Sequence, residues 1–235
     1  MKGGKIVVLT LLPLIIGGAA IGADILFQEE FASLERWKEV FFPKIPAHTR
    51  YTLTNDGGQS CLRTESHASA SILAYREPFN PYAYPRVKWR WKVENILPQA
   101  DLKTKSGDDA PLRVYVAFAY DPRRASILER AQYNAVKFLY GEYPPHSSLN
   151  YVWASQASAV DIITSAYTER SKMILLEKGE KNVGKWVEEE VNIIADYRRT
   201  FGEDPPAKAT IGIMNDSDNT GGSAVSYVTS LMVFR

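Results

Sequence analysis

Twelve short stretches of this chain alternate apolar and polar residues with a period of two. The stretch 86–93, Arg-Val-Lys-Trp-Arg-Trp-Lys-Val, is the clearest: Val87, Trp89, Trp91 and Val93 share one face, and Lys88, Arg90 and Lys92 share the other. Successive side chains of an extended strand point to opposite faces, so such a pattern demands a second layer to cover the apolar side. The other stretches are 37–42, 50–54, 60–65, 70–75, 112–120, 149–153, 160–164, 173–177, 186–194, 207–214 and 224–234. Turn-forming residues separate them, among them Asn55-Asp56-Gly57-Gly58, Ser106-Gly107-Asp108, Lys178-Gly179 and the run from Asp216 to Gly222. About twelve short strands without regular alternation of strand and helix predict an all-β fold, a β-sandwich. One segment departs from this. Asp121-Pro122 supplies a cap and a first-turn proline, Leu128, Ala131, Ala135 and Leu139 recur at helical spacing, and Gly141 and Pro144-Pro145 follow. The spacing predicts a single inserted helix over 123–140, within an insertion of about 122–141.

The N-terminus has a different design. Lys2 and Lys5 precede an apolar run, and Gly17, Gly18, Ala19, Ala20 and Ala23 follow it. This is the layout of a secretory signal peptide over 1–23, cut after Ala23 or Ala20, with no stable membrane span left behind. The expected home is periplasmic or secreted, and 24–235 then reads as one domain. Cys61 is the sole cysteine, so no internal disulfide can form. The alternation around it places it in a strand, buried and inert. With 28 Lys+Arg against 27 Asp+Glu, the chain has no general attraction for polyanions. A polyanion would need a local patch, and nucleic acid is not an expected partner.

Strand faces suggest where a ligand could lie. Leu112, Val114, Val116, Phe118 and Tyr120 fall on one side of the 112–120 stretch, with Arg113 and Tyr115 on the other. If this strand neighbours 86–93, Arg90 and Arg113 share a polar sheet face. Tyr151 and Trp153 share a face of their own strand and suit either a core or a stacking platform. Rings that cover the C–H face of a sugar, beside guanidinium groups that reach hydroxyls or a uronate, point to a glycan or polysaccharide ligand. The candidate binding residues are therefore Arg90, Arg113, Tyr115, Tyr151 and Trp153, joined by Asp108, Asp109, Asp216, Asp218 and Asn219 from two acidic loops.

In those loops, Asp216-x-Asp218-x-Thr220-Gly221 has the first-half spacing of an oxygen-rich calcium site, and Asp216, Asp218 and Thr220 are its candidate ligands. Its twelfth position is Tyr227 rather than a glutamate, so ligands would have to come from elsewhere, and a turn held by Asx side chains is the plainer reading. Paired carboxylates at Asp108/Asp109 and Asp216/Asp218 admit an alternative function, a glycoside hydrolase or polysaccharide lyase. A structural envelope protein without a small ligand is the third reading. Gly179 to Lys185 has phosphate-loop spacing, but Trp186 stands where a hydroxyl should hold magnesium. His48, His67 and His146 show no metal-ligand spacing.

Several blocks together carry a family resemblance. They are Val87-Lys88-Trp89-Arg90-Trp91-Lys92-Val93, Gly107-Asp108-Asp109 with Arg113-Val114-Tyr115-Val116-Ala117-Phe118, and Leu149-Asn150-Tyr151-Val152-Trp153. Asp196-Tyr197-Arg198, Phe201-Gly202 and Pro205-Pro206 follow, then the long run from Ile211-Gly212 through Asn215-Asp216-Ser217-Asp218-Asn219-Thr220-Gly221. The chain resembles the bacterial domain-of-unknown-function family 3047, with Asn215 where threonine is more usual. The resemblance implies an exported jelly-roll-like domain and assigns no activity. It draws attention to Asp108, Asp109, Arg113, Asp216, Asp218, Asn219 and Thr220.

Overall fold

The computed structural model describes residues 24–123, 125–140 and 143–235. The expected signal peptide over 1–23 lies outside the described residues. Among the described residues, thirteen strands form two facing sheets, a jelly-roll β-sandwich. The six-stranded sheet runs β11 (Val187–Asn192), β6 (Arg86–Val93), β13 (Ser223–Phe234), β4 (Gln59–His67), β3 (Arg50–Asp56), and β1 (Ile25–Glu29) also pairs with β13. The long strand β13 changes partner along its length. Residues 223–228 pair with β4, and 231–234 pair with β1. Ser230 between them has φ 49°, a left-handed kink at the register shift that lets the strand bend from one neighbour to the other.

The seven-stranded sheet runs β2 (Trp37–Phe41), β5 (Ser71–Tyr75), β12 (Ala209–Asp216), β7 (Ala110–Phe118), β8 (Ser147–Ala154), β10 (Ser171–Lys178), β9 (Ile162–Thr164). All its neighbours are antiparallel except β8 and β10, which run parallel. Between the sheets, the tryptophan face of β6 meets the inward residues of β8. Trp89 lies 5.6 Å from Tyr151, and Trp91 lies 5.7 Å from Trp153, centroid to centroid. All four are fully buried. Tilted and edge-on ring pairs of this kind add to the gain from burial itself.

The described residues contain two α-helices where one was expected. The first, α1 (Ile127–Tyr140), starts four residues later than predicted. Asp121 caps only an opening turn through its bond from the Arg123 N–H. The Ser126 hydroxyl accepts the Glu129 N–H, so Ser126 caps the helix. Its signature, serine followed three residues later by glutamate, is present in the sequence. The second, α2 (Ile193–Phe201), replaces the end of a predicted strand. Asn192 accepts hydrogen bonds from the Ile194 and Ala195 N–H groups, and Gly202 closes the helix at φ 72°. Its buried residue Tyr197 packs edge-on against Phe118, and its Asp196 accepts the Tyr151 hydroxyl. The helix thereby plugs one end of the core. No helix among the described residues is long and apolar enough to cross a membrane.

Glu189 sits in the edge strand β11 opposite Trp89 and is partly buried. Burial, with the charge of Glu177 adding, pushes its carboxyl up to about 7, against the pull of the Trp91 indole. A folded-state value above the unfolded one contributes stability that is complete below about 4.5 and is lost as pH rises through about 7. Glu189→Gln is therefore expected to raise the melting midpoint at pH 8 by about 2–4 °C, after discounting for solvent exposure, and to leave it unchanged at pH 4. Scanning calorimetry at the two pH values checks this.

Candidate functional site

The outer face of the seven-stranded sheet divides into a covered half and an open half, and β7 contributes to both. In the covered half, Arg113 is almost fully buried. Its Nε and Nη2 donate to the two carboxylate oxygens of Asp216 at 2.9 and 2.7 Å. Nη2 also donates to the Asp108 carbonyl at 2.8 Å and to its carboxylate at 3.0 Å, and Nη1 faces the Met173 sulfur at 3.6 Å. The Asp109 carboxylate, wholly buried, accepts the Asn219 N–H at 3.1 Å and the Thr220 N–H and hydroxyl at 2.6 Å each. The two acidic loops are thus fastened to each other and to β7. A short 3₁₀ turn, Lys105–Gly107, completes the cover. A Cβ on Gly107 would meet the Asp101 backbone nitrogen at 2.7 Å, so this turn needs glycine. Leu102 from the same segment packs onto Val152, Met173 and Leu175 beneath it.

The carboxylates crowd one another. Oxygens of Asp109, Asp216 and Asp218 all lie within 4.8 Å. Burial pushes the Asp216 carboxyl up, the charge and hydrogen bonds of Arg113 oppose this, and the Asp109 and Asp108 charges add to the rise. Burial and Asp109 likewise raise Asp218. The third oxygen beside the predicted pair Asp216 and Asp218 is Asp109, while Thr220 enters as a donor to Asp109.

In the open half lies a groove of about 830 Å³. Its floor follows the strand register. One cross-strand row runs Lys38, Ala74, Gly212, Tyr115, and the next pairs Thr210 with Ala117 and Ala117 with Ser148. Small residues keep this floor low. A Cβ on Gly212 would meet the Ile72 Cγ2 at 2.7 Å, so the glycine lets Ile72 and Tyr115 close over it. Helix α1 and the segment after it make the wall. Tyr133 stacks on Tyr120 at 3.7 Å and 8°, and Tyr143 tilts against Tyr120 at 5.2 Å. Burial holds the Tyr115 phenol above its ordinary range, and Arg113 opposes this, so Tyr115 stays protonated. A smaller polar pocket of about 230 Å³ adjoins the groove and shares Tyr120, His146 and Arg170 with it.

This geometry sorts the predicted residues. Only Tyr115 lines the groove. Tyr151 and Trp153 face the other sheet and are fully buried, so neither presents a ring to a ligand. Arg90 lies on the far side of the molecule, because β6 and β7 belong to different sheets. There it donates to Gln59 at 2.8 Å and lies over the Trp186 ring at 5.5 Å. Arg113, Asp108, Asp109 and Asp216 are internal to the clasp, Asp218 is half-buried in it, and Asn219 is exposed at its tip. Tyr120, predicted on the core face, turns into the groove because strand β7 ends at Phe118 and alternation stops there. Gly212 inside an apolar strand was the sequence signal for a close approach. Tyr133 and Tyr143 carried none.

A family model matches residues 35–232. The chain belongs to the DUF3047 family, proteins of unknown function. Among curated proteins none matches in sequence. Several solved structures resemble this DUF3047 chain. The family 11 carbohydrate-binding module of the cellulosomal cellulase Lic26A-Cel5E of Clostridium thermocellum is 10% identical at a TM-score of 0.44, over 92% of this chain and 95% of the module. A Bauhinia forficata lectin in complex with GalNAc is 10% identical at 0.38, over 88% and 96%. The active domain of a bacteriophage CBA120 tailspike is 7% identical at 0.40, over 88% of this chain and 20% of that one. Similarity at this level bears on neither ligand nor activity.

The clasp has a measurable cost of disruption. Arg113→Met leaves Asp216 buried without its counter-charge and is expected to destabilise the fold by about 3–5 kcal/mol in urea denaturation. Adding Asp216→Leu to that variant is expected to recover part of the loss, since no buried charge is then left unpaired.

Proposed function

We propose that the groove binds a glycan and that the protein is an exported carbohydrate-binding module. One observation carries this reading: a preformed trough of about 830 Å³ crosses rigid strands, with a half-buried Tyr115 in its floor and tyrosines in its wall. Phenol faces cover the C–H faces of sugar rings, and the hydroxyls of Ser148, Ser171 and Thr210 line the same trough for polar contacts. Binding without cleavage fits the chemistry better. No carboxylate among the described residues lines the groove, and the acidic loops spend those of Asp108, Asp109 and Asp216 on Arg113 and on backbone amides. Export rests on the signal-peptide layout of 1–23.

A saccharide array followed by product analysis tests the proposal. Binding without turnover is expected. Release of reducing ends would favour a hydrolase, and silence across the array a structural envelope role. Ala117→Trp fills the trough and Tyr115→Ala removes its floor ring. Each is expected to weaken binding by about tenfold or more, read by calorimetric titration.

Calcium at Asp109, Asp216 and Asp218 belongs to the same proposal. Three carboxylates close together against one guanidinium leave negative charge that a hard cation would offset. The melting midpoint is expected to be higher with calcium than with chelator, and equal midpoints remove the metal.

A further inference from the structure

The groove is charged in one sense only. Its described lining contains Lys38, Arg76, Arg170 and Lys208, and no aspartate or glutamate. The chain as a whole is balanced, so this is local segregation rather than composition. Pairing sharpens the contrast. On the outer face of the six-stranded sheet, Arg63, Arg86, Lys88 and Lys92 are each held by a carboxylate. Arg170 contacts Glu203 at 3.4 Å, on the side of the adjoining polar pocket. Lys38, Arg76 and Lys208 have no carboxylate within ion-pair distance among the described residues. Arg76 uses only its Nε, on the Glu35 carbonyl at 2.9 Å. All three are exposed at the β2, β5 and β12 side of the trough.

Resting on the glycan reading above, we infer that the groove selects acidic glycans, chains carrying carboxylates such as uronates, and that Lys38, Arg76 and Lys208 read the charge. The register sets the layout. Lys38 and Tyr115 share one cross-strand row, on the first and fourth of four neighbouring strands, so their backbone positions stand about 14 Å apart, three strand spacings. A sugar stacked at Tyr115 places a charged sugar further along the same chain beside Lys38. Cations without carboxylate partners lose no existing ion pair when they meet a carboxylate, and a patch of one sign draws such a chain in.

The test is calorimetric titration of the full protein with oligouronides of several linkages, each beside its carboxyl-reduced neutral counterpart. At least one acidic member is expected to bind about tenfold tighter than its reduced counterpart at low salt, and the advantage is expected to shrink as salt screens exposed charges. The triple variant K38Q/R76Q/K208Q is expected to erase the advantage while leaving binding of the reduced counterpart intact. Y115A is expected to weaken both. Equal binding of acidic and reduced members overturns the inference and leaves the glycan groove standing. Binding of no member, acidic or neutral, overturns both. Tighter binding of laurate than of any oligouronide overturns it in favour of an anionic lipid tail.

Discussion

Everything in this molecule hangs on the contact between its two sheets, and rings make most of that contact. Cys61 is buried and free, so no covalent staple holds the layers together. Trp89 and Trp91 from one sheet instead interlock with Tyr151 and Trp153 from the other. Because these four side chains are spent between the layers, the outer faces have to be furnished from elsewhere. That is why the groove draws its rings from Tyr115 on β7, from Tyr120 just past it, and from Tyr133 and Tyr143 in and after the helical insertion.

Strand β7 shows how one element divides its labour. Its inward residues Leu112, Val114, Val116 and Phe118 are all fully buried in the core. Its outward residues change role along the strand: Arg113 locks two loops down, Tyr115 marks the border, and Ala117 leaves room. Polarity alone would have grouped Arg113 with Tyr115 as surface residues. The donors of the guanidinium, met by Asp216 and Asp108, make it instead the internal tie of the covered half.

Much of this is legible in the sequence, because alternation reports which face a side chain takes. It reported correctly that Trp89 and Trp91 point inward and that Arg113 and Tyr115 point the other way. Alternation says nothing about which strand lies next to which, and so Arg90 and Arg113 could be paired on paper although their strands lie in opposite sheets. Helix α2 was hidden by a period-two run that continues into Ile194, two residues past the Asn192 cap. The groove was least legible. It is made by side chains that are missing, at Gly212, Ala74 and Ala117, and by Tyr133 and Tyr143, which reach it only through the path of the insertion. Small residues become a cavity only when their neighbours are known.

The pairing of β1 with the far end of β13 has a temporal meaning. Ile25 lies beside Phe234, and Glu29 beside Leu231, so the first described strand finds its partner in the last described one. Synthesis must run through β13 before that edge can zip, and contacts so distant in sequence make folding slow. That edge of the sheet accordingly stays unzipped until β13 has been made.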